Sequence, residues 1–576
     1  MGGAEMVAKY VVSPRGGRGV HPDITSALLA AAGRRRAALI EIAPGRYEEA
    51  LTVRGEVRLV ASGGPGSVVV GRARGPALDA YGTVGVDGLV LIGRDADVVG
   101  CHAGTLTLDR AEIRAYSGIG VHARPNTSVT LRDSVVLHGR TLFSGARGLV
   151  ERCRFTDAVD NAIAVIEGAD VTVRDSRVEG SRIHGVRVSG ARAEVTGCEL
   201  TGTGLAAVIA DTQAELTVSG CTIDAVHAEG IGFIEQSRGS VDSTRVTDAQ
   251  HGIAVASGAD PVVRGCTFAR CRDTGINVRA SGRGRFEECE VSDAGNAAVF
   301  STEGGSPEVH GCRISGGNVG IAVTEAARGR FTRVVIEDLT SVALRVRDGS
   351  NAVFEHIRVE RCPSQVETLG NGGTTADITD AVFRDFDMSA AEVLGQSRVR
   401  LRNVSAERGT LGFGVGEQAQ LHLHDCTVKA VSRCGVIAFG KGRLVARNLT
   451  VTGSGTLGLG GSDSAHLDVA DSEFTDCAVV GVSFGDRSAG RLADCSVEGT
   501  RGDGVRHNGL VELVSLRTSL PVVEQDTEPV VPPQTIVNNF NAPVFNAEVH
   551  GVQLAWNNNE AVQQQTGEGE TPDERP

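Results

Sequence analysis

The chain has 576 residues, of which 76 are glycine and 4% are aromatic, and its 71 acidic and 57 basic residues give a formal net charge of −14. A hydrophobic fraction of 41% excludes wholesale disorder, and the lack of a Gly-X-Y period excludes a collagen-like chain. The acidic balance argues against a nucleic-acid-binding body, because phosphate contacts require a basic face.

The N-terminal ten residues contain no apolar stretch typical of a signal peptide, and no run of about 18 apolar residues occurs in the sequence. We therefore expect a cytoplasmic protein that makes no membrane contact.

Residues 1–60 are predicted to form an N-terminal cap and the first coil of the fold. Residues 22–32 are typical of a short helix, with Asp23 near its start and Gly33 just past its end. The predicted apolar face of this helix contains Ile24, Leu28 and Ala31. This face would cover the unpaired strand edges that the first coil exposes.

Residues 61–520 contain a repeat of about 23 residues, which is one supersecondary unit of a solenoid. Within each repeat, short alternating runs are separated by Gly, Asp and Asn turns, which favours strands over helices. One slot recurs at this period and holds eight of the 13 cysteines: Cys153, Cys198, Cys221, Cys266, Cys289, Cys312, Cys426 and Cys495. The pattern predicts an all-β parallel β-helix of about 20 coils with a buried cysteine ladder.

This repeat resembles that of the right-handed parallel β-helix proteins of the pectin-lyase-like superfamily. The segment Gly45-Arg46-Tyr47-Glu48-Glu49 is also similar to a structural element in the first coil of pectin methylesterases. The resemblance implies a right-handed coil but no particular activity, because this fold supports lyases, hydrolases, epimerases and non-enzymes. The active-site motifs of methylesterases and polygalacturonases are not found in the repeat.

One stacked set of polar residues is the candidate catalytic site. The position before the recurrent Gly-Ile or Gly-Val step holds Asn161, His184, Glu229, His251 and Thr274. Glu229 and His251 are one repeat apart, about 5 Å if stacked, which suits a charge-assisted pair able to do acid–base work. His184, Glu229 and His251 are thus the catalytic candidates, and the alternatives are a polar ladder at a solvated turn or a ligand-binding edge.

Two further features bear on cofactors and ligands. His422 and His424 alternate with Leu423 and should face outward, but no third ligand lies at metal-binding spacing, so neither a metal nor another cofactor is expected.

All four tyrosines precede residue 120, and Trp556 lies outside the repeat, so the flank of the rod offers few rings for sugar stacking.

The C-terminal segment differs from the repeat. Residues 521–535 are rich in proline and predict an extended linker, and residues 557–576 form an acidic, flexible tail. Residues 536–556 are rich in Asn, alternate apolar positions and carry little charge, which is typical of a cross-β segment. This segment resembles bacterial amyloid-signalling motifs related to the homotypic interaction motif of necroptosis kinases. The residues assigned to the motif are Asn539, Phe540, Pro543, Val544, Val549, Gly551, Val552 and Gln553.

The sequence as a whole predicts a non-catalytic scaffold, sensor or ligand-binding rod. Its C-terminal motif would recruit a protein partner that carries a similar motif, or would assemble with copies of itself. The alternative function is that of a polysaccharide-active β-helix enzyme (a lyase, hydrolase or epimerase) with a carbohydrate ligand. For the C-terminal segment, the alternatives to assembly are a strand that caps the rod and a disordered tail.

Overall fold

The computed structural model describes residues 7–33, 36–72, 74–94, 97–116, 118–370, 372–525, 544–548 and 551–555. Within these ranges lie one helix, α1 (Ile24–Ala32), and 62 strands. No helix in the described part of the chain is long and apolar enough to cross a membrane.

Strands β1–β9 span Ala8–Val12, Val20–His21, Ala38–Ile42, Gly45–Tyr47, Leu51–Ala61, Val68–Gly71, Leu78–Asp87, Leu89–Gly93 and Val99–Asp109. Strands β10–β30 span Glu112–Ala115, Ile119–Ala123, Ser128–Arg132, Val135–Leu137, Arg140–Ser144, Arg147–Glu151, Arg154–Ala158, Ile163–Ile166, Asp170–Arg174, Arg177–Ser181, Val186–Ser189, Arg192–Thr196, Glu199–Thr201, Val208–Asp211, Glu215–Ser219, Thr222–Asp224, Glu229–Phe233, Arg238–Asp242, Arg245–Thr247, His251–Val255 and Asp260–Arg264. Strands β31–β46 span Thr267–Ala269, Thr274–Val278, Arg285–Glu287, Glu290–Ser292, Ala297–Ser301, Glu308–His310, Arg313–Ser315, Val319–Val323, Arg328–Thr332, Val335–Glu337, Val342–Arg347, Asn351–Glu355, Arg358–Glu360, Ser364–Gly370, Thr375–Gly395 and Arg398–Val415. Strands β47–β62 span Gln420–His424, Thr427–Val431, Cys434–Ala438, Arg443–Arg447, Thr450–Thr452, Leu457–Gly461, His466–Ala470, Glu473–Thr475, Val480–Phe484, Ala489–Ala493, Ser496–Glu498, Val505–His507, Val511–Val514, Val522–Glu524, Val544–Glu548 and Gly551–Ala555.

Three strands make one coil, and through most of the rod each strand pairs in parallel with the strand three places further along the chain. The ladders β18–β21–β24, β19–β22–β25 and β20–β23–β26 illustrate the three sides, which we call sheets A, B and C in chain order. In β45 and β46 all three sides of a coil belong to one unbroken strand. The solenoid has about 21 turns, which confirms the predicted parallel β-helix of about 20 coils.

The helix α1 covers the first coil, as predicted. The Asp23 side chain accepts a hydrogen bond from the Ser26 backbone N–H (2.7 Å) and so begins the helix. The Glu49 carboxylate accepts two more bonds, from the backbone N–H groups of Ile24 (3.0 Å) and Thr25 (2.8 Å). Because Ile24 and Leu28 are buried against β1, β3 and β5, the helix covers core that the first coil would otherwise expose.

All 13 cysteines are buried and free of disulfides, in agreement with the predicted ladder. The cysteine slot also supplies a hydrogen-bond acceptor, because the backbone N–H of Cys198 points at the Cys221 sulfur (3.4 Å). Where serine occupies the slot the same bond is shorter, as from the Cys153 N–H to Ser176 Oγ (3.0 Å). The slot is therefore both apolar and weakly hydrogen-bonding.

Parallel pairing continues past residue 520. The strand Val522–Glu524, which lies inside the segment predicted as an extended linker, pairs with Val505–His507. Within the predicted interaction motif, Val544–Glu548 and Gly551–Ala555 form a two-stranded antiparallel pair in which Val552 is opposite Ala547. Of the motif residues, Asn539, Phe540, Pro543 and Val549 lie outside the described residues, as does the acidic tail of residues 557–576.

Candidate functional site

The outer faces of sheets A and B carry ladders of exposed ion pairs between consecutive coils. On sheet A, Arg264 contacts Glu287 at 2.7 Å and Arg285 contacts Glu308 at 3.2 Å. On sheet B, Arg177 contacts Glu199 at 2.6 Å. Each such pair contributes little to stability in water, so these two faces are ordinary solvated surfaces.

The outer face of sheet C is different, because it has two partly buried columns of side chains. Where the chain turns into sheet C, two consecutive residues face the core: a Cβ on Gly252 would lie 2.5 Å from the Phe268 ring, and Ile253 is fully buried. The residues on either side, His251 and Ala254, therefore both face outward. We call the residues stacked on His251 in the other coils the corner column. The residues stacked on Ala254, three positions later in each coil, are the central column.

The candidates Glu229 and His251 occupy the corner column together with Thr274, on three consecutive coils where the Cα atoms are ladder partners. His184 lies in the same column, but Ala206 separates it from Glu229, since Val186 pairs with Val208 and Val208 with Ile231. The structure thus brings Glu229 and His251 together and places His184 about 10 Å from Glu229 along the axis.

The His251 ring is held by the coil that follows it. Its Nδ1 lies 2.7 Å from Thr274 Oγ1 and 3.5 Å from the Asn277 amide nitrogen. No hydrogen bond or ion pair joins it to Glu229 within the described part of the chain, so the expected charge-assisted pair does not form. Burial lowers the pKa of His251, and the charges of Asp273 and Glu229 oppose this effect.

His184 lies beside an ion pair that the sequence did not single out. Arg187, in the central column, contacts Asp211 at 2.9 Å, and hydrogen bonds from Ser189 and Arg187 lower the pKa of Asp211 although burial opposes them. Burial lowers the pKa of His184. The Nδ1 of its ring is itself buried and has no hydrogen-bond partner among the described residues.

Asn277 is the third residue that the sequence analysis missed on this part of the face. It is 5% exposed, and its Oδ1 has no hydrogen-bond partner among the described residues. The available signal was a polar residue three positions after a corner residue, as Arg187 follows His184 and Asn277 follows Thr274.

Two aspartate–histidine pairs extend the polar face toward the N-terminus. His102 Nε2 lies 2.7 Å from Asp79 Oδ1, and its ring stacks on Tyr81 with centroids 4.6 Å apart. One coil later, His122 Nδ1 lies 2.7 Å from Asp97 Oδ2. The hydrogen bond from His122 lowers the pKa of Asp97.

A second charged group occupies the central column four to six coils beyond His251. Arg345, Glu367 and Glu392 are ladder partners on consecutive coils. Glu367 accepts hydrogen bonds from Arg345 (3.1 Å) and from Arg347. Sequence reasoning did not single out this group. It lies in the central column between the apolar residues Ala322 and Ile437.

The remaining histidine candidates lie on another face. His422 and His424 alternate with the buried Leu421 and Leu423 on sheet A, and thus point outward as predicted. His424 Nδ1 lies 2.7 Å from Asp425 Oδ2. No three metal-ligating side chains converge here or elsewhere among the described residues.

The two best-defined concave sites among the described residues lie away from the polar face of sheet C. Their volumes are about 470 and 360 Å³, and one lies beside Asp471 and Arg517 and the other beside Asp23 and Leu29. Small ligands are usually enclosed by concave pockets.

The coil geometry and the main hydrophobic core, which runs along the coils, define a parallel β-solenoid whose sheet C carries the polar face. The chain belongs to the family described as "Right handed beta helix region", whose model matches residues 87–220, 206–327, 262–404 and 365–515. A comparison with functionally characterised sequences gives no significant match.

Solved structures with similar folds include three polysaccharide-active proteins. A pectin methylesterase from Aspergillus niger shares 13% identity over 38% of this chain and 86% of its own, with a TM-score of 0.31. The pectate lyase Pel9A shares 12% identity over 51% and 78%, with a TM-score of 0.29. The PL6 family alginate lyase AlyGC shares 9% identity over 90% and 99%, with a TM-score of 0.30. At these identities the likeness concerns the fold alone.

Proposed function

We propose that the protein binds a polysaccharide along the outer face of sheet C and acts on it by acid–base chemistry at Glu229 and His251. The observation that carries this proposal is the stacking of these two residues on consecutive coils of the one face whose columns are partly buried. The other two faces carry exposed ion-pair ladders instead.

In this proposal His251 is the proton acceptor. Its lowered pKa leaves the ring neutral near pH 7, and neutral imidazole is the basic form. Because Thr274 engages Nδ1, the ring presents Nε2 to the ligand. Glu229 lies about 5 Å away on the preceding coil and acts on the same ligand group. His184 and Arg187 then bind the polymer two or three coils further toward the N-terminus.

The test is a screen of the full chain against neutral and acidic polysaccharides, followed by the variants Glu229→Gln and His251→Asn. Each variant should lower cleavage of the identified substrate by at least about 100-fold, the usual contribution of a positioned acid or base. Glu199→Gln, an exposed partner of Arg177 on sheet B, is the matched control and should retain activity. Cleavage that survives both site changes would exclude the Glu229–His251 segment.

We also propose a second role, in which the C-terminal motif recruits a cytoplasmic protein partner with a similar motif. The observation that favours it is the antiparallel pairing of Val544–Glu548 with Gly551–Ala555. A two-stranded pair offers both outer edges to further strands, which is the geometry of edge-to-edge assembly. In this role the rod is the ligand-binding or scaffold module, and the fibril experiment in the Discussion tests it.

A further inference from the structure

The exposed large apolar side chains of the rod are confined to one edge. Nine such side chains are exposed in the described part of the chain, and five of them lie near its two ends. The other four all lie in the turn between sheets B and C: Tyr116 (53% exposed), Val159 (43%), Leu205 (46%) and Val479 (44%). Single exposed apolar residues are normal, but a row of them along one turn indicates a binding surface. Because this turn leads into the corner column, the row lies alongside the polar face of sheet C.

Three of these residues are evenly spaced along the rod. Tyr116, Val159 and Leu205 lie just before β11, β17 and β23, and sheet C is stacked in the order β11–β14–β17–β20–β23. Each residue is therefore two coils, about 10 Å, from the next. We call these three residues the apolar ledge. Val479 lies just before β55, near the other end of the rod.

The Tyr116 ring is held in place by residues of the two adjacent coils. Arg94 Cζ lies 5.5 Å from the centroid of the ring, and the centroid of the His138 ring lies 6.2 Å from it in a stacked arrangement. A side chain that is already ordered loses little conformational entropy when a ligand packs against it.

The face beside the ledge offers hydrogen-bond donors and acceptors in ion pairs that carry no net charge. Arg140 contacts Asp160 at 2.5 Å, and Arg187 contacts Asp211 at 2.9 Å. The two arginine side chains are 29% and 43% exposed, and they lie on β14 and β20, between the coils of the ledge residues. A guanidinium has five N–H donors, so each arginine retains donors beyond those bound to its aspartate. Sugar hydroxyl groups donate and accept, which suits such paired charges better than an anionic ligand does.

We infer that the apolar ledge binds a neutral, extended polysaccharide whose glycosidic linkages are diequatorial, as in cellulose and β-mannan. Alternate rings of such a chain present the same face, and its disaccharide repeat is close to two coils of the rod. The C–H face of every second ring can therefore pack on one ledge residue, while hydroxyl groups reach Arg140 and Arg187. A chain with axial linkages curves away from a straight row.

This inference rests on the proposed polysaccharide function and adds to it the linkage class and the path of the chain. Leu205 lies just before β23, one coil from Glu229, and Tyr116 lies four coils further toward the N-terminus. The bound chain thus extends from the Glu229–His251 segment toward the N-terminal end of the rod.

The test is calorimetric titration of the full chain carrying Glu229→Gln, so that the ligand is not consumed. The probes are cellohexaose, β-mannohexaose and chitohexaose, with maltohexaose as the axially linked comparison. At least one diequatorial hexaose should bind, and maltohexaose should not. The triose of the bound sugar should bind at least about tenfold more weakly, because three ledge residues two rings apart require five rings.

Replacing Tyr116, Val159 and Leu205 together with serine should raise the Kd of the hexaose at least about tenfold and remove the difference between hexaose and triose. Val479→Ser is the matched control, since Val479 lies in the same turn with the same exposure as Val159, and it should leave the Kd unchanged. All of these side chains are exposed, so the variants should fold. The comparison of hexaose with triose tests the ledge even without them.

Three results would overturn the inference and leave the Glu229–His251 proposal standing: equal Kd values for hexaose and triose, a triple variant that binds normally, or equally tight binding of maltohexaose. Failure of every hexaose to bind would also overturn it, even if an acidic polysaccharide were cleaved. Conversely, binding that depends on the ledge, together with cleavage that survives Glu229→Gln and His251→Asn, would support the inference and exclude the acid–base proposal.

Discussion

Glu229 and His251 are ladder partners on adjacent coils, yet the His251 ring is hydrogen-bonded to Thr274 on the following coil, at 2.7 Å from Nδ1 to Oγ1. The same stacking that aligns the two candidates therefore also supplies the group that orients the ring. In a stacked solenoid the orientation of a side chain thus depends on the neighbouring coil.

The cysteine slot should tolerate serine. Cys221→Ser should change the free energy of unfolding by less than about 1 kcal/mol, because a serine hydroxyl there can accept the Cys198 N–H as Ser176 accepts the Cys153 N–H. Cys221→Asp, which buries a charge in the same slot, should cost several kcal/mol. Urea unfolding of both variants measures the difference, and a severe loss of stability in the serine variant would contradict the hydrogen-bonding role of the slot.

Thiol reactivity should be low for the same reason. Burial raises the pKa of Cys153, Cys362 and Cys426 to about 11 each, so little thiolate exists near pH 7. A thiol-reactive dye should label native protein slowly and denatured protein at all 13 cysteines. Rapid labelling of the native protein would show that the stacked cysteines are accessible to solvent.

Glu392 should make stability depend on pH. Its pKa of about 7 in the folded protein lies above its ordinary value of 4.5, so its stabilising contribution is complete below about pH 4.5 and is lost as the pH rises through 7. Glu392→Gln does not titrate, so it should be more stable than the wild type by about 2 kcal/mol at pH 8 and about equally stable at pH 4.5. Denaturant unfolding at the two pH values measures this, and an equal difference at both would disprove the shifted titration.

Gly100 should be required for the contact between His102 and Asp79. A Cβ at Gly100 would lie 2.7 Å from His102 Nε2 and 2.9 Å from Asp79 Oδ1, so Gly100→Ala should separate the pair and cost about 1–2 kcal/mol. The matched control is Gly85→Ala, whose Cβ would meet Arg58 Cγ at 3.4 Å and should be nearly neutral. Thermal unfolding compares the two, and equal melting temperatures would mean that the pair contributes nothing to stability.

The C-terminal motif should assemble by itself. A peptide of residues 534–558 should form fibrils with a strand spacing of about 4.7 Å, whereas residues 1–520 should stay soluble and monomeric. Replacing Val552 with Asp and Gln553 with Lys should stop assembly, because charges would stack in every fibril layer. If the segment instead caps the rod, the peptide will stay soluble and the same double change will lower the melting temperature of the full chain.

The sequence by itself determined the fold, because a solenoid repeats one local pattern and each coil contacts only its neighbours. The cysteine slot, the capping helix and the corner column with Glu229 and His251 could all be predicted from the 23-residue period. The central column could not, because simple alternation would place His251 and Ile253 on one face. In the structure Gly252 and Ile253 both face the core, so His251 and Ala254 share the outer face instead. Only that turn in three dimensions places Arg187 on the same face as His184, and only the stacking of coils sets Glu392 near Arg347, where burial raises the pKa of the Glu392 carboxyl.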